Sequence, residues 1–195
     1  MRNRLLLTTL TLVGGFALAT ATAEAGLIPN KVTIAPEDGH FRWTYNVVVT
    51  SDVYVRPGDY FTIYDFAGAL PDSTMSPSAA WALTSQNVGA TPDKTNPQDD
   101  PNIPNYTWTY NGTEPIIGST GLGNFSLLSP YSQSALSDFT SSTHRQDNDK
   151  IENTITTTVV PVATPPTEES PEPATLALLG AAIPLVGLKL RRRRA

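Results

Sequence analysis

Residues able to do chemistry are few and scattered in this 195-residue chain. There is no cysteine, which removes thiolate nucleophiles, thiolate metal ligands and disulfides together. His40 and His144 stand about a hundred residues apart with no second histidine at ligand spacing, so each is expected as a solvated loop residue. No Gly-x-Ser-x-Gly occurs, and the serines fall in segments that read as turns, such as residues 132–142. Acyl transfer therefore has little to stand on. A glycosidase pair has little more, because Glu114 and Glu152 lie at strand starts or edges. Two acidic clusters offer oxygen ligands, Asp99-Asp100 and Asp147-Asn148-Asp149. The second suits calcium by its alternating side chains but lacks the glycine and distal glutamate of an EF-hand loop, so a solvated turn is the plainer expectation. Trp43 with Tyr45, and Trp108 with Tyr110, repeat at i, i+2. On an exposed strand face such pairs stack on sugar rings; on an internal one they are core, their commoner fate.

The elements that must position these residues are strands. Residues 41–49 alternate Phe41, Trp43, Tyr45, Val47 and Val49 against Arg42, Thr44, Asn46 and Val48, the period of a half-buried strand. Further strands are predicted at 31–34, 53–55, 60–66, 79–84, 106–110, 122–128 and 150–160, with turns at 36–39 and 56–59. Bulk on both faces makes 60–66 a central strand. Prolines at 71, 77, 92, 97, 101 and 104 loosen the middle of the chain, and residues 91–105 read as a long loop or exposed excursion. Asn111-Gly112 predicts a type I′ hairpin whose partner strand, carrying Pro115, lies at an edge. Seven or eight short strands without helical period give an all-β chain: an antiparallel β-sandwich, immunoglobulin-like in general shape, with a jelly roll or irregular barrel as the alternative.

Both ends of the chain carry addresses. Arg2 and Arg4 precede the apolar run 5–19, and Ala23-Glu24-Ala25 before Gly26 supplies a small-x-small cleavage pattern. This is a secretory signal peptide, read by a translocon and a signal peptidase, with a cut after Ala25; a cut after Ala23 is equally legal. At the other end stand Pro171, Glu172 and Pro173, an apolar run 174–188, Lys189, Leu190 and then Arg191, Arg192, Arg193 and Arg194. A helix over 174–190 is roughly 25 Å long, slightly short of the ~30 Å hydrocarbon core. Four arginines hold its far end in the cytoplasm. Pro184 and Lys189 within or beside it are tolerable in a membrane helix. The motif, helix and basic block, in that order, resemble the PEP-CTERM sorting signal of exported bacterial proteins. The resemblance covers residues 171–195 and implies processing near the motif by exosortase, an intramembrane cysteine transpeptidase, in bacteria that make exopolysaccharide or biofilm matrix. Pro171, Glu172 and Pro173 are by that resemblance recognition residues of a substrate, not catalytic ones.

The chain thus divides into a signal peptide (1–25), a β-sandwich ectodomain (26–160), a Pro/Thr/Glu-rich linker (161–170) and the sorting signal (171–195). The terminal segments hold seven of the 13 Lys and Arg but only Glu24 and Glu172 of the 18 Asp and Glu. What lies between is strongly acidic and has no general attraction for nucleic acid or anionic lipid. The expected protein is exported, non-enzymatic and without a cofactor. It is held in the inner membrane by its C-terminal helix, then sorted to the surface or extracellular matrix of a Gram-negative-type bacterium in a structural or adhesive role, with exopolysaccharide as a candidate partner. The alternative is a carbohydrate- or calcium-dependent binding module, and a hydrolase comes third.

Overall fold

β-branched and aromatic residues at period two fold as strands in much of the central chain. The structure, a computed structural model, describes residues 25–163. Its strands are β1 (Leu27–Glu37), β2 (His40–Val49), β3 (Val53–Val55), β4 (Tyr60–Ile63), β5 (Trp81–Gln86), β6 (Asn105–Tyr110), β7 (Ile116–Ile117), β8 (Thr120–Ser129), β9 (Ser134–Arg145) and β10 (Ile151–Pro161). Every pairing is antiparallel. One sheet has the order β1-β2-β8; the larger runs β5-β6-β4-β9-β3-β7, with β10 also paired to β9, and curls into a half-barrel. β4 is central, as its two bulky faces predict.

Local chemistry explains where the strands turn. β1 is longer than its β-branched centre suggested and turns into β2 through Asp38 (φ 48°) and Gly39 (φ 79°), the left-handed pair that a type I′ hairpin requires. The type I′ turn expected at Asn111-Gly112 does not form. Neither residue has positive φ, and β7 pairs with β3 instead of turning back on β6. The Tyr110 hydroxyl donates to the Glu114 carbonyl at 2.6 Å and folds this loop onto itself.

The largest correction is β9. Residues 132–142 read as turns because serine and threonine favour them, yet they lie mostly within the strand to which β3, β4 and β10 all pair. Hydroxyls that would compete with a ladder are engaged elsewhere: Ser137 donates to the Tyr64 carbonyl at 2.9 Å, and Ser141 Oγ accepts from the Leu27 N–H at 3.1 Å. β3 and β4 share one edge of β9, Tyr54 opposite His144 and Tyr60 opposite Ser142. Residues 55–59 therefore bulge out opposite the single Thr143. β10 also runs one residue past the expected boundary, since Pro161 pairs with Ser134 and its carbonyl accepts from Ala67 N–H at 3.2 Å.

One core lies between the sheets. Phe61 stacks on Trp108 and on Phe139, each at 5.2 Å, and meets Phe125 edge-on at 4.8 Å, joining the larger sheet to β8. Such pairs add about 0.5–1.5 kcal/mol each to the burial itself. The other face of the larger sheet is covered by residues 87–104, which form a strap instead of an open excursion. Asp65 and Asp138 accept from the backbone N–H of Asp100 and Gln98 at 2.9 and 2.6 Å, and Thr62 and Tyr64 both donate to the Ala90 carbonyl.

Candidate functional site

The sorting residues Pro171, Glu172, Pro173 and Arg191 to Arg194, together with Ala23, lie outside the described residues. Ala25 and Gly26 lie at the point where the chain joins the fold. Gly26 N–H donates to Thr50 Oγ1 at 2.8 Å, and a Cβ at this position would sit 2.6 Å from Thr154 Oγ1. Only a glycine passes between these threonines without a clash.

The paired aromatics point inward. Trp43, Tyr45 and Trp108 are fully buried and Tyr110 is nearly so, which removes them as a sugar-stacking platform. Their polar tips are bonded within the fold: Trp43 Nε1 donates to the Tyr131 carbonyl at 3.0 Å, Trp108 Nε1 to Ser76 Oγ at 3.1 Å and Tyr45 OH to the Val159 carbonyl at 3.0 Å.

His144 overturns the expectation of a solvated loop residue. It lies in β9, buried, with Nδ1 2.9 Å from Asp59 Oδ1 in the bulge between β3 and β4. Asp59 also accepts from the Arg56 N–H at 3.0 Å. Burial raises the Asp59 carboxyl above its ordinary range, against the hydrogen bonds from Arg56 and His144 that lower it. Beside this pair, Asp149 accepts from the Tyr54 hydroxyl and from Arg56 Nη1, and these contacts hold its carboxyl low. Asp147 accepts from Arg145 Nε at 3.1 Å. A carboxylate orienting an imidazole is half of a nucleophile-activating array, but among the described residues no hydroxyl is hydrogen-bonded to His144 Nε2. Nor do the described residues gather three His, Cys, Asp or Glu side chains around one point. Asp99 is likewise used within the fold, accepting from Asn105 Nδ2 at 2.8 Å, while Asp100 caps its own turn through Asn102. His40 starts β2, with Nδ1 3.1 Å from the Asp38 carbonyl oxygen.

One of several concave features among the described residues lies one strand away, where the strap meets β10. A cleft of about 350 Å³ is lined by Asp93, Lys94, Ile151, Glu152 and Asn153. Asn153 Nδ2 donates to the Asp93 carbonyl at 3.1 Å, while its Oδ1 is buried without a donor among the described residues. Such an orphan costs about 1–3 kcal/mol. Lys94 holds φ at 65°, a conformation that asparagine and aspartate adopt far more readily.

No family model matches the chain. Nor does any curated protein.

The sequence carried no signal for either grouping. Asp59 and His144 are 85 residues apart and meet through the register of β3 and β4 on β9; Asp93 and Asn153 are 60 apart and meet because the strap lies against β10. Lys94 follows a Pro-Asp pair and precedes Asn96, which marks a turn but does not single out its lysine.

Proposed function

We propose that this is an exported surface or extracellular-matrix protein with a structural or adhesive role. In this reading a signal peptide delivers it and an exosortase-type transpeptidase sorts it and cuts it near Pro171-Glu172-Pro173. The observation that carries the reading is the order Pro-Glu-Pro, apolar run 174–188 and Arg191 to Arg194. The ectodomain is in this reading a β-sandwich of immunoglobulin-like general shape. Support for that comes from the way β1-β2-β8 faces the larger sheet across a single aromatic core. Support for a non-enzymatic role comes from the use of the described polar groups: Asp59 with His144 and Asp149 with Arg56 each tie parts of the fold together.

Intact mass tests the reading, measured on protein recovered separately from the envelope and the medium of its own host. A product beginning at Gly26 or Glu24 and ending near Pro173 is the expected result. A chain ending at Ala195 and found only in membranes sinks the sorting reading and leaves an anchored ectodomain. The second reading, a carbohydrate-binding module, is favoured by one observation, the polar cleft at β10.

A further inference from the structure

We propose that the cleft between the strap and β10 binds an uncharged hexopyranose unit of a polysaccharide. For its biological setting the proposal rests on the matrix reading above; its chemistry rests on the cleft alone. The walls alternate in hydrogen-bonding sense. Asp93 presents acceptors and Lys94 donors, Glu152 adds a carboxylate paired with Arg145, and Asn153 fixes the floor by donating to the Asp93 carbonyl. Ile151, 61% exposed, supplies an apolar surface beside them. A pyranose ring carries matching features, with hydroxyls that both donate and accept around its rim and apolar C–H groups on its face. Tyr60 stands in the same cross-strand row as Asn153, with Ser142 between them. It adds an aromatic edge where a longer chain would run on.

The charge of the walls selects among ligands. Lys94 stands beside Asp93, and Arg145 Nη1 lies 3.2 Å from Glu152 Oε2, so two carboxylates meet two cations and the walls favour neither an anionic sugar nor a metal ion. The backbone of Lys94 argues independently for a ligand. A left-handed lysine is strained where an asparagine would be relaxed, and the strain falls on the residue that aims a cation at the cleft.

The test uses the full-length chain in a polyoxyethylene detergent, because sugar-headed detergents would compete. Maltotetraose, cellotetraose and mannotetraose are titrated by calorimetry and saturation-transfer NMR. The proposal expects saturable, millimolar binding of at least one. Lys94→Asn should weaken that binding about tenfold or more while leaving the melting temperature unchanged or raising it, and Asp93→Ala should weaken it comparably. The proposal is overturned by absence of saturation with all three sugars, by binding that both variants retain, or by displacement of the sugar with alginate or glycine. None of these outcomes depends on where the host places the protein, so the mass measurement can fail while this one succeeds, and the reverse.

Discussion

At Asp59 two effects oppose each other. Burial favours the neutral carboxyl, while the Arg56 N–H and His144 favour the anion, and burial is the larger. Raised above 3.8, Asp59 binds its proton more tightly in the folded chain than in the unfolded one. Its protonated form therefore contributes stability that is complete below the unfolded pKa and is lost as the pH rises through the folded one. Asp59→Asn removes that slope. In urea unfolding, the advantage of the natural residue over Asn should be largest near about pH 3 and shrink towards about pH 6. A gap that widens instead would mean that His144 stabilises the anion by more than burial costs it. Asp149 is different, since it is exposed and held low by Tyr54 first and by Arg56. A cation at Asp147 or Asp149 must displace a guanidinium, so melting in EDTA and in millimolar calcium should coincide. A rise with calcium would identify a site there.

At the level of elements, β2 and β9 mark the limits of what could be read from sequence. β2 was legible because its inward positions are large and apolar and three of the four outward ones between Phe41 and Val49, namely Arg42, Thr44 and Asn46, are polar, so period two is written in the residue types. β9 was not, because Thr140, Ser141 and Thr143 are all buried and small hydroxyl residues occur on both of its faces. Composition could not separate a strand of this kind from a turn; the difference lies in partners that are distant in sequence. The strap was half legible: its prolines announced a loop, but nothing announced that Asp65, Asp138 and Asn105 would hold it down. Asn105 is 1% exposed, accepts from the Asp65 N–H at 2.8 Å and donates to Asp99. Asn105→Ala should cost about 2–3 kcal/mol and open residues 87–104 to limited proteolysis well below the global melting temperature. Cleavage that appears only on global unfolding would show that the strap does not depend on this residue.

For the whole molecule, stability concentrates in one inter-sheet cluster, and folding must bring its parts together from afar. Phe61, Phe125 and Phe139 come from three different strands, and β2 meets β8 with Trp43 opposite Leu127. Phe61→Ala should therefore lose about 3–5 kcal/mol, with tryptophan fluorescence and far-ultraviolet circular dichroism reporting one transition. Two separated transitions would mean that the sheets unfold independently. Refolding is expected in milliseconds to seconds, the range of topologies dominated by non-local pairing. A microsecond refolding phase carrying most of the amplitude would contradict it.

β10 has a mechanical consequence. One wall of the proposed sugar site, opposite the strap residues Asp93 and Lys94, lies at its first residues and the chain leaves the described fold just beyond its last, so that wall and the chain's exit sit on one eleven-residue strand. Tension between a polymer held at Ile151 and an anchor beyond Pro161 would run along roughly 35 Å of covalent backbone. The hydrogen bonds to β9 would lie beside that load path, and the aromatic core would remain slack while the strand carried the force.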